Sequence, residues 1–125
     1  MIRAALLAAL LAISGMAFPG QATAQEWVPR RVAEIQALDK VNARVLTLRA
    51  TVGEPARFGT LTILLRACHA RPADEVPDAA AYLEITDERS PPGSGPVFRG
   101  WMFADAPAVN MFEHPVYDLR ILNCR

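Results

Sequence analysis

Short runs of apolar and β-branched residues, each closed by a Pro or Gly break, constrain this chain more than any other feature. They cover Ala43 to Arg49, Thr60 to Cys68, Ala81 to Thr86, Val97 to Phe103 and Val116 to Cys124. Within them the apolar side chains alternate. Leu61, Ile63 and Leu65 oppose Thr60, Thr62, Leu64 and Arg66; Leu83 and Ile85 oppose Tyr82, Glu84 and Thr86; Leu119 and Ile121 oppose Asp118 and Arg120. A period of two is the mark of a strand with one face in a core. The breaks are turn chemistry: Val52-Gly53-Glu54-Pro55, the polar stretch from Arg71 to Asp78 with Pro72 and Pro77, and Ser90-Pro91-Pro92-Gly93-Ser94-Gly95-Pro96. No helix of ordinary length is expected, the nearest candidates being Arg31 to Lys40 and a turn at Ala108 to Phe112. The pattern predicts a mostly β fold, a small antiparallel sandwich or barrel of five to six strands. Val97 to Phe103 pairs as a hairpin with the run before it.

The start of the chain reads as an export signal. Arg3 supplies a positive charge, Ala4 to Phe18 an apolar stretch too short to span a bilayer, and Ala22-Thr23-Ala24 a small-x-small cleavage site. The expected organisation is a signal peptide over 1–24, a leader over 25–37 with Trp27 as its anchor, and one β domain over 38–125. The mature chain, with no transmembrane segment, is then periplasmic and has about 100 residues, room for a single small domain.

Charge and cysteine content narrow the partners. The 13 basic and 13 acidic residues balance, and the loss of Arg3 leaves a small acidic excess. Without a basic surplus, a phosphate backbone or an anionic membrane surface is a poor partner. Two cysteines in an oxidising compartment read as one disulfide, Cys68 to Cys124, linking the second of these runs to the last. The alternative is a reactive thiol at Cys68 beside His69. Vicinal residues of a strand point to opposite faces, so that histidine is badly placed to activate it.

Few residues suit catalysis. After the signal the serines are Ser90 and Ser94, both in the Pro/Gly loop, and the histidines are His69 and His114. No zinc or phosphate-loop motif is present, and Asp74, Glu75 and Asp78 lack the glycine and register of a calcium loop. Neither a metal nor a cofactor is expected. Glu113-His114-Pro115-Val116-Tyr117-Asp118 is the densest cluster of reactive side chains. It reads as a corner into the last strand, with His114 bonding a backbone carbonyl; the sharper alternative is a ligand or acid/base site of Glu113, His114 and Asp118. Gly100-Trp101-Met102-Phe103 and Met111-Phe112 are different. Alternation sends Trp101 and Phe103 to one face and Met102 with Phe98 to the other, and aromatic residues, Met and Arg are what interfaces concentrate.

Phe58-Gly59-Thr60-Leu61, Arg66-Ala67-Cys68, Ala81-Tyr82-Leu83-Glu84-Ile85, Gly100-Trp101-Met102-Phe103-Ala104, Glu113 to Asp118 and Asn123-Cys124 occur in an order that resembles the bacterial family of domain of unknown function 2155 (DUF2155). Leu38-Asp39-Lys40-Val41 resembles its opening. The resemblance implies a short exported protein with two cysteines and no established activity. It also implies a neighbourhood, since genes of the family often lie beside one for a small accessory subunit of respiratory complex I, the proton-pumping NADH:quinone oxidoreductase.

The expectation is therefore a non-enzymatic periplasmic interaction protein docking a protein partner at the membrane's periplasmic face, in its sharper form an accessory subunit of complex I. Trp101, Met102, Met111 and Phe112 form the expected contact, with Arg99 at its rim, so Met102→Asp should release the protein from membranes without unfolding it. The rival is a small ligand-binding or envelope-maintenance protein with its site near His114.

Overall fold

The alternating runs become strands of two antiparallel sheets, in a computed structural model that describes residues 15–16 and 26–125. The rest of the expected signal peptide, with its cleavage site, lies outside the described residues. In chain order the strands are β1 (Val28–Arg30), β2 (Val32–Asp39), β3 (Arg44–Thr51), β4 (Pro55–Phe58), β5 (Leu61–Ala70), β6 (Ala79–Asp87), β7 (Phe98–Phe103) and β8 (Tyr117–Cys124), with a 3-10 turn at Pro107–Val109. One sheet runs β5-β6-β7, and the other edge of β5 is shared by β4 at Leu61 to Leu64 and β1 at Cys68 to Ala70. The second sheet runs β3-β2-β8. The inward faces meet over Ile35, Leu61, Ile63, Leu65, Leu83, Ile85 and Ile121, all buried. The result is an open sandwich, not a closed barrel.

Three expectations change. The leader over 25–37 carries β1 and most of β2, the central strand of its sheet, so the ordered domain starts well before Leu38. Ala33, Ile35 and Ala37 alternate inward and are fully buried there. Alanine is a weak strand former, which hides the period. Arg31 to Lys40, the nearest helix candidate, is this strand. Among the described residues the strand count rises to eight, because β2 joins the five expected runs together with β1 and β4, short edge segments held by β5.

The disulfide joins Cys68 of β5 to Cys124 of β8, so it staples one sheet to the other instead of closing a single sheet. Alternation alone forbids this. Cys68 has the parity of outward Thr62, Leu64 and Arg66, and Cys124 that of outward Asp118 and Arg120. Each strand, however, holds one bulge. Leu65 pairs with Leu83 and Ala67 with Tyr82, leaving Arg66 as the extra residue; Ile121 pairs with Ile35 and Asn123 with Glu34, leaving Leu122. An extra residue reverses the parity that follows it. Both cysteines therefore turn inward and are buried.

The Cα atoms of the bridge are 5.7 Å apart, whereas packed sheets usually stand about 10 Å apart. Small neighbours permit the approach. Ala81 pairs with Cys68, Ala33 with Cys124, and Ala50 with Ala33, all of them buried.

Two predictions follow from this geometry. With the cysteines 56 positions apart, Cys68→Ser should lower stability by about 4 kcal/mol on the chain-entropy estimate, read from denaturant midpoints. Deleting Arg66 should turn Cys68 outward and leave two free thiols on titration, while Arg66→Ala keeps the bulge and the bridge. A bridge retained in the deletion would contradict the parity argument.

Candidate functional site

The end of the sandwich away from the disulfide is closed by side chains around His114. Pro115 breaks the chain just before β8, and the His114 ring turns back over the break. Its Nδ1 accepts the backbone N–H groups of Val116 at 3.0 Å and Tyr117 at 3.2 Å. Those two bonds assign the ring proton to Nε2, which donates to Asp87 Oδ2 at 2.8 Å. The two side chains are 11% and 8% exposed. Lys40 Nζ donates to the His114 carbonyl at 2.7 Å and lies 3.5 Å from Asp118.

Aromatic rings extend the corner across the sandwich. Phe98, Phe112, His114, Tyr117 and Phe58 follow one another with centroid spacings of 6.0, 5.5, 5.1 and 5.3 Å. The Tyr117 hydroxyl accepts the Thr60 N–H at 3.3 Å, and its ring occupies the space a Cβ on Gly59 would need. Gly59 also has φ of +56°, so only glycine suits this position.

Burial opposes ionisation of Asp87, but the Arg89 N–H, the His114 N–H and the Thr60 hydroxyl outweigh it and hold the carboxyl below its ordinary value. The Arg89 bond is 3.0 Å to Oδ1. The Thr60 hydroxyl acts from nearby, although its geometry falls short of a full hydrogen bond.

The expected ligand set of Glu113, His114 and Asp118 lines one open surface hollow together with Lys40, Met111, Phe112 and Pro115, but its side chains do not converge on a common point. His114 faces Asp87 from β6, Glu113 is exposed, and Asp118 pairs with Lys40. Both ring nitrogens are engaged, so the corner reading holds with two differences: the partners of the ring are backbone N–H groups and a carboxylate, not a carbonyl. Asp87 is the residue sequence reasoning missed. It lies 27 positions from His114, and only the strand pairing brings them together.

The expected contact set is split by the fold. Met102 and Phe112 are each 4% exposed and belong to the core, because β7 turns Phe98, Gly100 and Met102 inward. Trp101 and Arg99 point outward from the same strand. Trp101 is 37% exposed and sits edge-on to Tyr82 at 5.4 Å and His69 at 5.6 Å. The bulge at Arg66 is also what puts His69 on this face. Beside the cluster Glu84 pairs with Arg66 at 3.2 Å and Arg99 at 3.6 Å. Met111, 60% exposed, belongs to a different surface beyond the edge of β7.

Fold and site define a class: an open antiparallel sandwich stapled between its sheets, with a histidine corner at the far end. The chain belongs to the family described as "Uncharacterized protein conserved in bacteria (DUF2155)", matched over residues 33–124. That is the family its motifs resemble, and the match takes in β2. The chain is similar to an uncharacterized protein of Rickettsia prowazekii (strain Madrid E), 28% identical over 91 residues. The match covers 73% of this chain and 59% of that protein, so the chain spans less than two thirds of the relative's length. No solved structure matches it.

Because the folded Asp87 pKa is depressed, its contribution is present above the ordinary carboxylate range and is lost as pH falls through the folded value. Asp87→Asn should therefore flatten the fall in melting temperature below about pH 4. His114→Ala leaves two N–H groups without their acceptor and should cost on the order of 2 kcal/mol in denaturant unfolding.

Proposed function

We propose that this protein is a non-enzymatic interaction module of the bacterial periplasm. Its partner is a protein at the periplasmic face of the membrane, and respiratory complex I is the specific partner that the family's gene neighbourhood favours. The observation that carries this reading is the outer face of the five-stranded sheet. Trp101, Tyr82 and His69 form a pre-positioned aromatic cluster there, with Arg99 and Arg66 beside it. Aromatic and Arg side chains dominate the binding energy of protein interfaces, and edge-to-face packing fixes the Trp101 ring before any partner arrives. The His114 cluster gives the rival site less support, since both of its nitrogens serve the corner.

The test is affinity purification of the exported protein from mildly solubilised membranes, with its companions identified by mass spectrometry. Complex I subunits should be recovered in constant ratio, and Trp101→Ala should lower that recovery about tenfold or more while remaining folded. Met102→Asp, in contrast, should fail to fold. A wild-type protein that stays soluble and brings down nothing would overturn the proposal.

A further inference from the structure

The segment after β7 leaves a second apolar surface. Between the Pro107–Val109 turn and β8 lies a cleft of about 350 Å³, at the small end of the range for binding pockets. Buried Met102, Phe112 and Ile121 line its interior, with Leu38, Leu119 and Met111 around them. Methionines suit such a site because their flexible thioethers adapt to the shape that enters.

The cleft's charges are uneven. Asp118 and Arg120 are the charged side chains of the lining. Asp118 is already paired with Lys40 at 3.5 Å. The Arg120 side chain has no ionic or hydrogen-bond partner among the described residues. An entering group thus meets apolar walls beside one uncompensated cation.

The rim indicates the size of the occupant. Met111 and neighbouring Val109 are 60% and 70% exposed. A small molecule held inside the cleft would leave that apolar collar in water, whereas an extended segment would cover it. β8 is the edge strand of its sheet, so such a segment can run alongside it.

We infer that the cleft receives an apolar side chain from an extended segment of a protein partner, with an adjacent carboxylate of that segment on Arg120. The inference rests on the interaction-module reading but uses different residues from the Trp101 face. Each can therefore fail alone: membrane co-purification tests the face, and a peptide titration tests the cleft.

The probes are acetyl-Leu-Glu-Leu-amide and acetyl-Leu-Lys-Leu-amide, titrated into the isotopically labelled, disulfide-bonded protein and followed by NMR. The Glu peptide should shift the Met102 and Met111 methyls and the Leu119 amide, and should bind at least fivefold more tightly than the Lys peptide. Arg120→Glu, an exposed change whose fold the same spectra check, should reverse that preference. If neither peptide moves the cleft signals, or the preference survives the charge reversal, the inference fails. It fails equally if sodium decanoate shifts these signals and the peptides do not, because the site then takes a free amphiphile.

Discussion

Everything in this sandwich depends on turning two outward cysteines inward. A bridge between sheets needs both thiols on facing surfaces, and the bulges at Arg66 and Leu122 supply the change of parity. The consequences spread from there. The sheets converge to 5.7 Å between Cα atoms at the bridge, which requires alanine at Ala33, Ala50 and Ala81. At the other end the rings of Phe58, Phe112, Tyr117 and His114 pack against one another. A domain of this size has a total stability of roughly 5–15 kcal/mol, so a bridge closing a long loop is a large share of it.

Much of the fold is legible in the sequence, because strands with one buried face announce themselves. Leu61, Ile63 and Leu65, then Leu83 and Ile85, fall on the core side as their alternation requires, and the β6–β7 hairpin forms as expected. Two kinds of information are not local. β2 is hidden because Ala33 and Ala37 are small enough to read as leader or helix; Ala33 is core beside the bridge and Ala37 is core opposite Leu119, and only the strand pairing shows it. The bulges are hidden because nothing in Arg66 or Leu122 marks an extra residue; register across two strands decides it. The same limit explains the site. Alternation separates Trp101 from Met102 correctly but does not say which of them faces the core.

The histidine corner shows how a cluster that reads as chemistry can be spent on architecture. His114 satisfies two backbone donors at the start of β8 and holds Asp87 at the end of β6. It thereby ties the sheets together opposite the disulfide. With that cluster engaged, two surfaces among the side chains turned to solvent are of another kind: the Trp101 face with its arginines, and the Met111 collar around the cleft beside Arg120. The two surfaces lie on either side of β7, whose outward residues build one and whose inward Met102 lines the other.

The most direct measurement is oxidative footprinting of the disulfide-bonded protein, alone and in the presence of bacterial membranes solubilised mildly enough to keep their complexes intact. Trp101 and Met111 are exposed and readily oxidised, while buried Met102 is an internal control for folding. If the protein engages a membrane partner through these surfaces, oxidation of Trp101 and Met111 falls when membranes are present and Met102 stays protected throughout. Equal oxidation of Trp101 and Met111 in both samples, with Met102 protected, would contradict the interaction-module reading.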